Sequence, residues 1–272
     1  MNNPLVSIIT VTYNAQEYLE QTMQSVFAQT YPNIEYLIID GGSTDGTISI
    51  INGHESKLSL WISEKDNGIY DAMNKGIGKA NGELIGMINA GDCYEPNAVE
   101  QVVNAYLKST DCGIFHGNIN MLNSDGSFFK LKKPNPDMSE LYKGISFFHS
   151  TFFVQNSVYK KHGTYDTTFK VSADFDFGLR CYLADIKFGY IDQVLADFRL
   201  GGFSSLSGKQ GMYECRDILL KNGYEASVVL PIFKKWEKSY KKKRIMDAGY
   251  GLLRKILPLS VLNRLSNYMS IK

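Results

Sequence analysis

Along the first hundred residues, continuous apolar runs alternate with segments in which apolar residues recur at helical spacing. Continuous apolar runs, such as VSIITVT from Val6 to Thr12, are typical of strands that are covered on both faces of a sheet. Between these runs, apolar residues recur at helical spacing, as Leu19, Met23 and Val26 do. The pattern predicts strands over residues 6–12, 34–39, 58–62 and 84–88, and helices over residues 14–29, 70–79 and 96–107.

This alternation predicts an α/β fold with a doubly wound, mostly parallel central sheet and helices on both faces. In such sheets, ligands bind where the strands end. Acidic residues follow three of the four predicted strands: Asp40 after the second, residues 64–68 after the third and residues 89–92 after the fourth. The strand ends are therefore the candidate site.

After residue 113 the pattern changes to strands and turns. It predicts a hairpin near residues 123–126, a helix over 173–184 and a strand over 188–192. Because no linker rich in glycine or proline separates the halves, we expect one domain over residues 1–232, with halves 1–112 and 113–232. A small helical tail over residues 233–272 would be the separate unit.

Composition places the chain among ordinary globular proteins, with 44% hydrophobic and 21% charged residues over 272 positions. The sequence contains no apolar run of the roughly 18 residues that a membrane span needs. Its start lacks the charged region of a signal peptide. The four cysteines form no CxxC pair, which argues against a zinc site or a disulfide framework and favours a cytoplasmic protein.

The net charge of +1 hides an asymmetry. Residues 234–272 hold 11 basic and 2 acidic residues, so the preceding body is acidic and unsuited to nucleic acid. Lysines and arginines alternate there with apolar residues such as Trp236, Tyr240 and Leu252, which predicts peripheral contact with an anionic membrane surface. The alternative is a terminal helix that packs on the body.

Common nucleotide and hydrolase motifs are missing from the sequence. It has no P-loop, no GxGxxG after the first strand, no GxSxG and no HExxH. Carboxylates at the strand ends would repel a diphosphate unless a divalent cation lay between them.

Three sequence blocks resemble a known family. The block VSIITVTYNAQEYLEQTMQSVFAQTYPNIEYLIIDGGSTDGT is similar to the start of inverting glycosyltransferases of family 2, which have the GT-A fold. The block SEKDNGIYDAMNKGIGKANGELIGMINAGD resembles the bacterial branch that makes capsule, O-antigen of lipopolysaccharide and exopolysaccharide. A third match is SADFDFGLR followed by FRLGGFS, so the resemblance spans residues 5–205.

The resemblance implies transfer of a sugar from a nucleotide-sugar donor to a glycan acceptor, which the basic tail suggests is lipid-linked. Residues 1–112 would bind the donor and residues 113–232 the acceptor. Tyr13 would pack on the base and Asp40 would accept a hydrogen bond from it; uracil is favoured, while guanine and thymine remain open. The implied donor-binding residues are Thr10, Tyr13, Asp40, Asp66, Gly68, Asn74, Lys75 and Asn89.

For the chemistry, the resemblance implies a metal and a base. Residues 89–92 stand where the family has its Asp-x-Asp motif, so Asp92 would bind Mg²⁺ or Mn²⁺ with help from the Asn89 carbonyl oxygen. Asp174 matches the general base, and His149, Asp176 and Arg180 would lie on the acceptor side, Arg180 by orienting carboxylates.

Each of these residues also has a purely structural interpretation. Asp40 and Asp92 are common turn residues, and Asp174 would suit a helix N-terminus.

Two other functions also stay open. A sugar nucleotidyltransferase would need a glycine-rich first loop, which TVTYNAQ does not supply. A catalytically degenerate binding subunit is suggested by Gly91, Met73 and Ala173, where the family usually has Asp, Arg and Glu.

Overall fold

The computed structural model describes residues 3–143, 147–202 and 207–253, with side chains as far as residue 241. The chain divides into two compact units, Met1–Cys215 and Arg216–Lys272. The predicted boundary near residue 232 stays a prediction. The predicted amphipathic tail covers residues 233–272, and most of it lies outside the residues whose side chains are described. Within the described part, every helix is too short or too polar to cross a membrane.

Nine strands in the described residues form one sheet, in the order β3-β2-β1-β4-β8-β6-β9-β5, with β7 paired to β6. The strands are β1 (Val6–Thr12), β2 (Ile34–Asp40), β3 (Leu60–Ser63), β4 (Leu84–Met87), β5 (Cys93–Tyr94), β6 (Cys112–Leu122), β7 (Phe128–Lys132), β8 (Phe153–Gln155) and β9 (Lys187–Arg199). The first four strands are parallel to one another, and β6 is parallel to β9. The remaining pairs are antiparallel.

The helices alternate with these strands as the sequence pattern predicts. They are α1 (Leu19–Phe27), α2 (Thr47–Gly53), α3 (Ile69–Lys79), α4 (Ala98–Lys108), α5 (Asn156–His162), α6 (Ala173–Leu183), α7 (Gly208–Lys221) and α8 (Ala226–Leu253). The predicted α/β class and the hairpin between β6 and β7 are confirmed.

Helical spacing explains how the helices pack on the sheet. In α1, Leu19, Met23 and Val26 are buried on one face. In α3, Gly76 lies against β1, where a Cβ would come within 2.6 Å of Ile9 Cγ2. The absence of a side chain at this position therefore allows α3 to approach the sheet closely.

Two predicted helices begin later than expected. Residues 14–18 form turns before α1, because Asn14 adopts a positive φ of 47° and its amide bonds to the loop after β2. The predicted helix over residues 96–107 begins at Ala98, so Pro96 precedes it instead of occupying its first turn.

The register of the parallel strands brings their ends to one edge of the sheet. Thr12 pairs with Asp40, and Asp40 pairs with Ser63 on the next strand. On the other side of β1, Ile9 pairs with Met87, after which the chain enters the loop 88–92. The loops that carry the predicted strand-end residues therefore leave the sheet side by side.

Candidate active site

A pocket of about 850 Å³ lies at this edge of the sheet. A smaller pocket of about 190 Å³ adjoins it. The residues that line both are Ile69, Tyr70, Asn89, Asp92, Lys170 and Phe198. Two ligands placed in the two pockets would therefore meet beside Asn89 and Asp92.

Asp40 is fully buried and does not line either pocket. Its Oδ2 accepts hydrogen bonds from the Gly42 amide at 2.9 Å, from the Ser43 amide at 2.8 Å and from Ser63 Oγ at 2.7 Å. The Ser43 hydroxyl donates to its Oδ1. These donors use the acceptor capacity of the carboxylate and give Asp40 a structural role in the turn after β2. Its bond to a base stays a prediction.

Asp66 lines the larger pocket, as do Asp71 and Asp92, and it lies beside Tyr13. Its Oδ1 accepts a hydrogen bond from the Gly68 amide at 2.9 Å. Its Oδ2 lies over Gly41, where a Cβ would come within 2.4 Å of that oxygen and within 3.4 Å of the Tyr13 ring. Gly41 therefore leaves room for Asp66 beside Tyr13, whose side chain is 63% exposed.

Thr10 lies inside the sheet and not in the pocket. It is fully buried, and its hydroxyl is 2.9 Å from the Tyr36 hydroxyl on the neighbouring strand β2. In this structure Thr10 therefore makes a core hydrogen bond, and its contact with a nucleotide stays a prediction.

Asn74 and Lys75 do not line either pocket. The Asn74 amide donates to the Tyr165 carbonyl at 2.8 Å and accepts from the Tyr165 amide at 3.0 Å. Lys75 Nζ is 2.9 Å from Glu64 and 3.6 Å from Asp71, which lines the larger pocket. Both side chains have local partners, and their place on the path to a diphosphate stays a prediction.

The loop after β4 contributes two oxygen ligands of different kinds. Asn89 Oδ1 is buried without a hydrogen-bond partner among the described residues. Asp92 is 6% exposed, and its Oδ1 accepts a hydrogen bond from the Arg199 amide at 3.0 Å. Gly91 between them has φ of 111°, a conformation that side chains rarely adopt, so the backbone disfavours a carboxylate at this position.

Burial dominates the electrostatics of Asp92. Desolvation raises its pKa to about 7, against the lowering effects of the Arg199 amide and charge. Because burial disfavours its charged form, a cation that enters the pocket would stabilise the ionised Asp92 carboxylate. No group of three or more histidine, cysteine or acidic side chains suited to a metal occurs in the described residues. Asp92 and the unpartnered Asn89 oxygen are hard ligands that fit Mg²⁺ or Mn²⁺ if the other ligands come from a phosphate and water.

Arg199, at the end of β9, is a pocket residue to which the sequence analysis assigned no role. Its guanidinium donates to the Gln21 side chain at 2.9 Å, to the Ser124 carbonyl at 3.3 Å and to the Gly91 carbonyl at 3.4 Å. These acceptors are neutral, so the guanidinium keeps its charge available for an anion in the pocket. A cation in the block FRLGGFS, one of the blocks that resemble the family, is the signal that would have identified it.

Asp174, in the first turn of α6, lines the smaller pocket and is half-buried. Its Oδ1 accepts from the Phe175 amide at 2.9 Å and lies 3.2 Å from the Tyr70 hydroxyl, which also donates to the Val171 carbonyl at 2.7 Å. Burial and the nearby Asp174 carboxylate raise the pKa of Tyr70, so the phenol stays protonated. Tyr70 therefore positions Asp174 toward the shared wall of the two pockets.

The other predicted acceptor residues separate into two groups. His149 lines the smaller pocket, with Nε2 at 3.2 Å from the Tyr165 hydroxyl, and burial lowers its pKa. Asp176 pairs with Arg180 at 2.8 Å and lines neither pocket. Arg180 also donates to the carbonyls of residues 162 and 164. The ion pair agrees with the expectation that Arg180 orients a carboxylate, and a place of both residues on the acceptor side stays a prediction.

Comparison with known proteins agrees with this arrangement. The sequence profile described as Glycosyl transferase family 2 matches residues 7–170. An uncharacterized glycosyltransferase of Mycobacterium tuberculosis is 34% identical over 186 residues, which cover 66% of this chain and 70% of that protein.

Two solved structures share the fold. Staphylococcus aureus TarS 1–349, solved with UDP-GlcNAc, has a TM-score of 0.65 and 17% identity, covering 84% of this chain and 70% of that chain. The mannosyltransferase PcManGT from Pyrobaculum calidifontis was solved with GDP-Man and Mn²⁺. It has a TM-score of 0.63 and 16% identity, and the match covers 99% of this chain and 81% of that chain. At this identity, the likeness establishes the fold alone.

Asp40 and Asp66 should differ in their contribution to stability. We expect Asp40→Asn to lower the free energy of unfolding by about 2–4 kcal/mol, because an amide would face buried donors. Asp66→Asn should change it by less than about 1 kcal/mol, because Asn keeps the acceptor for Gly68. Urea unfolding of both variants measures this difference. Equal losses would contradict the assignment of Asp40 to the turn.

Proposed function

The chain belongs to glycosyl transferase family 2, and from that premise we propose that it transfers one sugar from a nucleotide-sugar donor to a glycan acceptor, with inversion at the anomeric carbon. The profile match over residues 7–170 supports the resemblance to family 2, and the shared fold supports GT-A. The observation that carries the proposal is the meeting of two pockets at Asn89 and Asp92, with Asp174 on the smaller one.

The base of the donor would bind between Tyr13 and Asp66. An exposed tyrosine ring offers a face for stacking, and the Asp66 carboxylate offers an acceptor for the N3–H of uracil. The related structures contain UDP-GlcNAc in one case and GDP-Man in the other. The Gly68 amide donates to Asp66 Oδ1, which leaves Oδ2 for one further donor. We favour a UDP-sugar over a GDP-sugar because uracil presents one such donor, N3–H, whereas guanine presents two, N1–H and the exocyclic amine. Thymine offers the same N3–H as uracil. Gly68 lines the same pocket and would lie beside the ribose.

The diphosphate would bind beside the loop after β4. Asp92 and Asn89 would hold Mg²⁺ or Mn²⁺ there, and the ion would stabilise the negative charge of the leaving nucleoside diphosphate. The Arg199 guanidinium, held by neutral acceptors, would bind the same phosphates from the side of β9. This second cation compensates for the single carboxylate of the metal motif.

The transfer step needs a base on the side opposite the leaving group. Asp174 would take the proton from the acceptor hydroxyl as the acceptor oxygen forms its bond to the anomeric carbon. The bond from that carbon to the diphosphate oxygen breaks, and its electron pair leaves with the nucleoside diphosphate. Tyr70 orients Asp174 for this step, and His149 lies at the acceptor mouth.

We further propose that the acceptor is a lipid-linked glycan of a bacterial surface polysaccharide such as capsule or lipopolysaccharide. The acceptor would then be reached at the cytoplasmic membrane, with residues 234–272 making peripheral contact through their basic side chains.

Replacement of the base should separate catalysis from binding. In Asp174→Asn, turnover should fall by about 100-fold or more, while the affinity for the donor stays within about twofold. The matched control is Asp185→Asn, because Asp185 is exposed and its positive φ of 57° suits asparagine. Donor hydrolysis and calorimetry measure the two quantities. Unchanged turnover would exclude Asp174 as the base, and a degenerate binding subunit would have no turnover to lose.

Removal of the Arg199 charge should act on the diphosphate and not on the nucleoside. In Arg199→Ala, the affinity for UDP should fall by about tenfold, while the affinity for uridine stays nearly constant. Lys187→Met is the control, because Lys187 pairs with Asp111 at 2.6 Å and lines neither pocket. An equal loss for UDP and uridine would show that Arg199 only supports the fold.

A further inference from the structure

The hairpin of β6 and β7 exposes an apolar and basic surface to solvent. Every residue of β7 is exposed, including Phe128 at 63%, Phe129 at 52% and Leu131 at 47%. Within the described part of the chain, β7 pairs with β6 alone, so its outer edge is open. We use the name hairpin surface for residues 128–132. Because side chains alternate along a strand, its apolar groups project from both faces and do not form a groove.

Lysines interrupt these apolar groups. Lys130 Nζ lies 5.3 Å from the Phe129 ring centroid, and Lys132 Nζ lies 5.0 Å from that of Phe148. The segment from residue 126 to residue 136 has the sequence GSFFKLKKPNP and is flanked by Asp125 and Asp137. Of its three lysines, Lys133 pairs with Asp192 at 2.6 Å, while Lys130 and Lys132 lie beside aromatic rings. A surface with phenyl rings beside these two ammonium groups is complementary to an anionic lipid bilayer, where rings enter the interface and lysines meet headgroups.

Two residues of the hairpin strands line the smaller pocket. Met121 of β6 and Lys132 of β7 line that pocket together with Asp174. Ser124, in the turn at the tip, lines the larger pocket. Contact of the hairpin surface with a bilayer would therefore bring the entrance of the smaller pocket to the headgroup layer.

We propose that the hairpin surface docks the protein on an anionic membrane and thereby presents the smaller pocket to a lipid-linked acceptor. This inference rests on the proposed function, in which the acceptor is lipid-linked. A second copy of the chain is a weaker match for this edge. Antiparallel pairing of two β7 strands would place lysines opposite lysines, and such like-charge pairs destabilise a sheet.

Vesicle flotation of the full chain tests the proposal. The vesicles consist of phosphatidylcholine with or without phosphatidylglycerol. The triple variant F128S/F129S/L131S should bind the anionic vesicles about tenfold more weakly than the unaltered chain. The control L107S/L183S removes two leucines that are 42% and 48% exposed elsewhere and should bind normally. Because every protein keeps residues 234–272, any contribution of the tail is constant.

Equal flotation of the triple variant and the unaltered chain would overturn the proposal, as would the absence of flotation in the unaltered chain. A change from dimer to monomer in light scattering, with unchanged flotation, would assign the surface to a second copy instead. In a second measurement, Phe128→Trp should show a blue shift of tryptophan emission with anionic vesicles beyond the shift of the unaltered chain, whose Trp61 and Trp236 supply the background. Equal shifts in the two proteins would contradict insertion.

UDP titration of the same proteins separates this inference from the proposed function. The three substituted side chains line neither pocket, so UDP affinity should not change. Loss of flotation with retained UDP binding supports membrane docking by the hairpin. A chain that floats through the hairpin but binds no nucleoside diphosphate would refute the proposed function and leave the docking surface intact.

Discussion

The central strand β1 is the constraint on which the site depends. All seven of its residues are buried, and it pairs in parallel with β2 on one side and β4 on the other. Parallel pairing requires every strand to end at the same edge, so the loops after β1, β2, β3 and β4 meet there. This arrangement gathers an aromatic ring, the Asp66 carboxylate and the side-chain oxygens of Asn89 and Asp92 from segments that are as far apart as Tyr13 and Asp92.

Asp40 and Asp66 show how far the sequence could predict this site. Apolar runs and their acidic ends predict the strands and the edge where ligands bind, since those features are local. Which carboxylate faces the pocket depends on contacts between distant segments. Ser63 donates to Asp40 from another strand, and Gly41 leaves the space that Asp66 occupies. Neither contact has a local pattern that would predict it.

The same limit applies to the charged residues of the helices. Asp174 and Asp176 stand two positions apart on α6, yet one lines the smaller pocket and the other pairs with Arg180. Lys75 seemed available for a phosphate, but Glu64 and Asp71 pair with it. Arg199 is the opposite of Lys75, because its charge is held by neutral acceptors and lies in the larger pocket. These acceptors become apparent only in the structure, where β9 lies beside the loop after β4. Charge in a sequence therefore predicts the kind of ligand better than it predicts the residue that binds it.

The most direct test of the account is calorimetric titration of UDP, GDP and dTDP, with Mn²⁺ present, into the unaltered chain and into Asp66→Ala. The account predicts saturable binding of one molecule of UDP per chain, and weakening by about tenfold or more in the variant, because the base loses its acceptor. Binding of none of the three nucleotides to the unaltered chain would contradict the nucleotide-sugar site. UDP binding that is equally tight in both proteins would contradict the assignment of the base to Asp66.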